Sequence, residues 1–330
     1  MYNGGIIQVK KKLDDKYIDK IKNVDFQPIF IMGLHRSGTS ILYKMLGETG
    51  NFTILTIYHL LNYDNLLYYY INGLEEEKKE ELNHLFKDMD IKTRKTDELK
   101  VTADYAHEYM YIFSQKNYPW KLTTENIQLF EELCKKLKYI SGKNNPVLLK
   151  NPYDYPNFLF IKKNYPDAKF IFIHRNPLEV ISSSMRLYET RLKSKDELMG
   201  LYYEKYNDTY KNPLALFLQR IYYISCFPLG IFEVIRRSDK ANKYFLKNIR
   251  YLSKEDYISI TYEKLCMEPN KVITKILDLL NMKTDKDFSK YVKPRKLKLI
   301  PIVLFLRKFI YKMMKSYFKE FGYELQKGKN

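Results

Sequence analysis

The residues of this 330-residue chain whose types could do chemistry gather in two short stretches. The first is Gly33-Leu-His35-Arg36-Ser37-Gly38-Thr39-Ser40, set between the apolar run Pro28-Ile-Phe-Ile-Met and a helical pattern opened by hydroxyl residues. The backbone N–H groups of such a turn, with a helix N-terminus behind them, make a cradle for an anion. The Gly33 to Gly38 spacing equals that of the nucleoside-triphosphate loop, but Thr39 stands where that loop has Lys. The positive charge has moved into the turn as Arg36. The second stretch is Lys169-Phe-Ile-Phe-Ile-His174-Arg175-Asn-Pro177. Here a cation follows the strand where a triphosphatase would place the Asp that helps hold Mg²⁺. The helix after it carries Ser182, Ser183 and Ser184. Ser183 lies eight residues beyond Arg175, so both side chains can converge on one phosphate. Two anion sites at strand ends imply a ligand charged at both ends of a nucleoside.

Elements that place these residues follow from hydrophobic patterning. Short apolar runs at 28–32, 52–57, 146–150, 169–173 and 257–260 read as strands. Helical spacing covers 39–47, 74–86, 127–140, 157–164, 177–191, 214–236 and 270–280. Strands alternating with helices require crossover connections, hence an α/β fold with a parallel sheet covered on both faces in a single three-layer domain over residues 1–330. The charged region from about 64 to 141 reads as a helical insertion over the sheet, a lid for an acceptor. Residues 292–330 read as a basic C-terminal segment.

Composition sets outer bounds. With 31 Tyr, 19 Phe and 45% hydrophobic residues, the chain has the apolar content of a packed core. Its 57 Lys and Arg against 39 Asp and Glu give a net charge of +18, pointing to an anionic partner. Over half of that excess lies in residues 283–330, where 14 Lys and Arg stand against 4 Asp and Glu. Three cysteines without C-x-x-C spacing argue against a disulfide framework or a zinc site. No apolar run approaches the roughly 20 residues needed to cross a bilayer, and no signal-peptide pattern opens the sequence. The expected location is cytoplasmic, with membrane association through the basic tail. Nucleic acid is not an expected partner, because no helix-turn-helix, zinc-finger or ribonucleoprotein motif is found.

Taken together, the motifs resemble those of the sulfotransferases that use 3′-phosphoadenosine-5′-phosphosulfate (PAPS). The stretch Gly33 to Ser40 resembles the family's 5′-phosphosulfate loop, and Phe170 to Ser183 resembles its 3′-phosphate motif. Ile260-Thr-Tyr262-Glu-Lys-Leu-Cys-Met-Glu-Pro269 is similar to the segment beside the adenine. The resemblance implies PAPS as sulfuryl donor, no metal, and transfer to a hydroxyl or amine acceptor that is a small molecule, a glycan or a lipid. It implies donor contacts from His35, Arg36, Ser37, Gly38, Thr39, Ser40, Arg175, Ser183 and Tyr262, with Arg36 as the charge-stabilising cation. Family members often carry the base for the acceptor proton as a Glu about 23 residues after the loop Arg, where this chain has His59, or as a His shortly after a Lys-x-Pro strand end. Here that strand end is Lys150-Asn-Pro152, and the expected His gives way to Tyr153 and Asp154. Lys150, His59 and Asp154 are therefore the remaining catalytic candidates, while Asp104 and Glu108 resemble an acidic stretch near the family's acceptor pocket. The competing readings are a phosphate-loop kinase and a non-catalytic anion-binding adaptor. The segment Val292 to Lys298 is expected to fold over the 3′-phosphate.

Overall fold

The computed structural model describes residues 12–95, 98–225, 227–292 and 299–325. Five strands form one sheet: β1 (Pro28–Met32), β2 (Thr53–Ile54), β3 (Val147–Lys150), β4 (Lys169–His174) and β5 (Tyr257–Thr261). Their order is β2-β3-β1-β4-β5 and every pairing is parallel. All five C-terminal ends therefore open at one edge, where ligands of open α/β sheets bind. Chain direction alone thus brings Gly33, Lys150, Arg175 and Tyr262 to the same side.

Residue type divides the two faces of this sheet. Side chains alternate along a strand, so Phe30, Met32, Leu149, Phe170 and Phe172 face one layer, and Ile29, Ile31, Leu148, Ile171 and Ile173 the other. The first face is aromatic. Phe30 pairs in register with Phe170, and their rings stack at 5.8 Å. Phe130, from the helix Ile127–Ser141, stacks on Phe30 at 5.9 Å. That helix lies in the segment 64–141 and joins the main core through Phe130, Leu133, Leu137 and Ile140. The aliphatic face is covered by α1 (Thr39–Gly47) and the helix Pro269–Leu279. Tyr43 ties α1 to the sheet, donating to the Leu148 carbonyl at 3.1 Å and accepting from the Leu55 N–H at 3.0 Å.

A third cluster packs the helices Pro177–Lys193 and Gly230–Asn248 against the C-terminal helices Pro301–Met313 and Lys315–Glu320. Two expectations need correction. The helical pattern 214–236 is two helices, Pro213–Ile224 and Gly230–Asn248, because Pro228 has no N–H to continue the first. The strand expected over 52–57 shrinks to Thr53–Ile54, because Thr56 caps α2 (Ile57–Leu61). The fold over the 3′-phosphate expected of 292–298 lies, apart from Val292, outside the described residues.

Truncating Phe130 tests whether its helix belongs to the core. We expect Phe130→Ala to cost ~3 kcal/mol or more in urea denaturation of the whole chain. A helix merely resting on the domain would leave the main transition unchanged.

Candidate functional site

β1 ends at Met32, and the loop must turn sharply to start α1 at Thr39. Two residues make this possible by taking left-handed backbone: Gly38, with φ 101°, and Arg36, with φ 72°. A Cβ at Gly38 would lie 2.3 Å from Cδ2 of Tyr262, so only glycine lets the ring pack there. For an arginine the same backbone region is unfavourable and must be held by its surroundings. Arg175, at the end of β4, donates to the Arg36 carbonyl at 3.1 Å. Arg36 in turn donates from Nε to Ser183 Oγ at 3.0 Å. The two anion motifs are thereby one structure. The Arg175 guanidinium also lies 4.1 Å over the ring of Tyr262, at the end of β5.

The loop's remaining residues complete a cradle. Ser37 is buried and closes a turn on Leu34, with its N–H and hydroxyl both donating to the Leu34 carbonyl at 3.1 and 2.7 Å. Thr39 is buried as the first residue of α1, whose N-cap, Gly38, offers no side-chain cap to the helix amides. Those amides and the helix dipole favour an anion at this point. His35 sits edge-on to Tyr153 at 5.1 Å, with Nε2 buried and without a hydrogen-bond partner. Burial pushes its pKa down to about 4, outweighing the opposing pull of Glu108, so its ring is neutral near pH 7.

Both principal cations already have carboxylate partners. Arg175 donates from Nε and NH2 to Glu179 Oε2 at 3.1 and 2.9 Å, one helical turn along. Lys150, buried at the end of β3, donates to Ser40 Oγ at 2.8 Å and pairs with Glu108 Oε1 at 2.7 Å. Glu108 arrives from the far side of the sheet edge, because residues 103–107 pair with 55–58. Tyr58 N–H donates to Ala103 O, Ile57 N–H to Tyr105 O and His107 N–H to Leu55 O. Burial alone would raise the Glu108 carboxyl. The charge of Lys150 and its hydrogen bond outweigh it and hold the group well below the usual carboxylate range.

His59 and Asp154 are engaged elsewhere. The His59 ring accepts the Thr56 N–H at Nδ1 (3.0 Å) while its own N–H donates to Thr56 Oγ1, a reciprocal cap on α2. Burial and nearby Lys79 push its pKa to about 3. Asp154 is fully buried and accepts from Tyr109 Oη, Leu122 N, Asn151 Nδ2 and Asn157 Nδ2, all within 2.9 Å. That set occupies the carboxylate and anchors the turn after β3. Asp104 is exposed and pairs with Lys79 at 3.5 Å, away from Lys150. Glu108 is the acid that the sequence underweights, since only the pairing of 103–107 with 55–58 carries it inward. Among the described residues no group of three or more His, Cys, Asp or Glu could hold a metal ion.

The family model described as "Sulfotransferase family" matches residues 28–225, more than half of the chain. The chain belongs to the sulfotransferase family. This sulfotransferase is similar in fold to the crystal structure of sulfotransferase STF9 from Mycobacterium avium, with a TM-score of 0.60 at 13% identity. That superposition covers 94% of this chain and 82% of the other. Sulfotransferase STF1 from Mycobacterium tuberculosis H37Rv superposes with a TM-score of 0.56 at 12% identity, covering 91% and 80%. No curated protein sequence matches. The chain is thus a sulfotransferase enzyme with a parallel five-stranded α/β fold.

The buried histidines give this sulfotransferase a definite acid response. His107 and His174 are pushed down to about 3 by burial. Each stays neutral when folded but takes up a proton below about pH 6.5 when unfolded. The unfolded state then binds more protons, so stability is full above pH 6.5 and falls as pH drops toward 4. With His35 and His59 lowered in the same way, we expect urea denaturation at pH 5 to show a loss of several kcal/mol relative to pH 7, about 2 kcal/mol for each buried histidine. Equal stability at the two values would contradict neutral burial.

Proposed function

We propose that this sulfotransferase moves a sulfuryl group from PAPS to a hydroxyl or amine acceptor. The observation that carries the reading is the 3.0 Å bond from Arg36 to Ser183, which joins the strand-to-helix loop to the Arg175 motif. A nucleotide anionic at both its 5′ and 3′ ends matches two cationic sites linked in this way. The fit is supported by the left-handed Arg36, the uncapped N-terminus of α1 and the space that Gly38 leaves for Tyr262.

When bound, the donor supplies the sulfuryl group and the adenosine bisphosphate leaving group. Arg36, the amides of Gly38 and Thr39, and the Ser40 hydroxyl hold its 5′ end. Arg175 and Ser183 hold the 3′-phosphate, and Tyr262 lies beside the base. Protein cations supply the positive charge over the leaving oxygen, with Lys150 reaching it from the end of β3. In the resting site Lys150 keeps Glu108 weakly basic. Once Lys150 turns toward the donor, burial dominates at Glu108 and raises its affinity for a proton. Glu108 Oε1 would then accept the proton of the acceptor, whose oxygen or nitrogen takes the sulfuryl group as the bond from sulfur to the 5′-phosphate oxygen breaks and adenosine 3′,5′-bisphosphate leaves. Beside His35, the half-buried rings of Tyr153, Trp120 and Tyr203 meet edge to face at 4.9 and 5.1 Å. Such a wall favours an acceptor with a flat apolar face, such as a phenol or a sugar ring.

Transfer from radiolabelled donor to a panel of phenols and sugars tests this assignment. Arg36→Ala is expected to abolish transfer. Glu108→Gln is expected to lower kcat by about 10²-fold or more while bisphosphate affinity changes little. His59→Gln should keep kcat within a few-fold and lower thermal stability instead. A collapse of kcat in His59→Gln, with Glu108→Gln active, would overturn the assignment.

A further inference from the structure

We propose that this sulfotransferase docks on acidic membrane surfaces through an apolar ridge built by the helix Pro213–Ile224. An ordinary surface helix turns its apolar stripe toward the core and its polar residues toward water. This helix is apolar on its outward face as well as on the inner one, where Leu216 and Tyr223 are half-buried and Tyr223 stacks on Tyr188 at 4.0 Å. Leu214, Phe217, Leu218, Ile221 and Tyr222, at the i, i+3, i+4, i+7, i+8 spacing of one face, are all exposed, Leu214 at 66% and Phe217 at 58%. Its polar residues Gln219 and Arg220 are half-buried, and Arg220 Nε donates inward to the Leu192 carbonyl at 2.8 Å. The helix is well formed nonetheless, with Pro213 in its first turn and Asn212 capping the Ala215 N–H at 3.0 Å.

The ridge continues beyond this helix. Phe227 and Leu229 are exposed in the connection that follows, Phe227 lies 6.1 Å from Phe232, and Phe232 lies 6.3 Å from Phe309. Phe305, one turn before Phe309, is 75% exposed. A patch of this kind marks an interaction surface on a soluble-type fold.

Charge identifies the occupant. On the helix Pro301–Met313 the exposed face alternates Phe305, Lys308, Phe309 and Lys312. Residues 301–319 hold five Lys and Arg and no acid. Along Gly230–Asn248 the exposed residues after Phe232 are cations, Arg236, Arg237, Lys240, Lys243 and Lys247, of which Arg237 pairs with Glu233 and Lys243 with Asp239. An aromatic ridge rimmed by cations is the pattern of an interfacial helix on anionic lipid. A second copy fits poorly, since a two-fold interface would set the cationic rim of each copy near the other. Among the described residues no helix is long and apolar enough to cross a membrane, so the contact is with the surface.

The test is co-sedimentation of the full chain with vesicles of phosphatidylcholine containing about one-third phosphatidylglycerol, against phosphatidylcholine alone. The expected result is sedimentation with the acidic vesicles only, reduced by salt. Phe217→Ser with Leu218→Ser, and separately Lys308→Glu with Lys312→Glu, should each cut partitioning about tenfold or more. Unchanged thermal unfolding and bisphosphate binding would show that both variants fold. Failure to sediment overturns the proposal, as does equal binding to both vesicle types. A solution dimer that Phe217→Ser with Leu218→Ser dissociates, without vesicle binding, would assign the ridge to a second copy instead.

Discussion

The structure depends on holding one arginine in a backbone conformation it would not choose. Arg36 sits at φ 72°, and its carbonyl is fixed by Arg175 while its own guanidinium bonds Ser183. Both contacts come from the stretch after β4, about 140 residues along the chain, and the parallel sheet brings it to the loop because β1 and β4 are neighbours ending at the same edge. Tyr262 completes the support, filling the space beside Gly38 beneath the Arg175 guanidinium. Loosening any of these would let the loop relax and scatter the donors that α1 presents. The aromatic layer under β1 and β4, with Phe30, Phe170 and Phe172 stacked, gives that edge a stiff base.

Positive charge at such an edge is costly to bury without compensation. Here compensation comes from Glu179 for Arg175 and Glu108 for Lys150. These carboxylates act as resting counterions, which anionic groups of a ligand would replace. The pairing of Arg175 with Glu179 is therefore compatible with an anion site, although read alone it looks like an ordinary ion pair along a helix. The same reasoning separates Glu108 from Asp154. One has a single strong side-chain partner, Lys150, while the other is surrounded by four donors that are part of the fold.

Local signals make much of this legible in the sequence. The loop Gly33 to Ser40 can be read because glycines, hydroxyls and a cation follow an apolar strand at fixed spacing. The family resemblance and the α/β class rest on such local features, and the match over residues 28–225 agrees with them. The surroundings of Lys150 are harder to read, because tertiary contacts place them. His59 has the right spacing for a base, yet Thr56 three residues earlier turns it into a helix cap. Glu108 looks like a solvated acid until residues 103–107 are laid along 55–58. The division of the 214–236 pattern at Pro228, and the outward apolar face before it, are likewise invisible to periodicity. A stripe at helical spacing says that a helix has an apolar face, not which way that face points.

The central claim is that the edge at β1 and β4 binds a nucleotide anionic at both ends. Thermal unfolding of the wild-type chain with adenosine 3′,5′-bisphosphate, adenosine 5′-monophosphate or ATP–Mg²⁺ tests it most directly, because a ligand of the folded state raises Tm. The account predicts a clear rise with the bisphosphate that the other two do not match. Stabilisation by ATP–Mg²⁺ without an effect of the bisphosphate would contradict it.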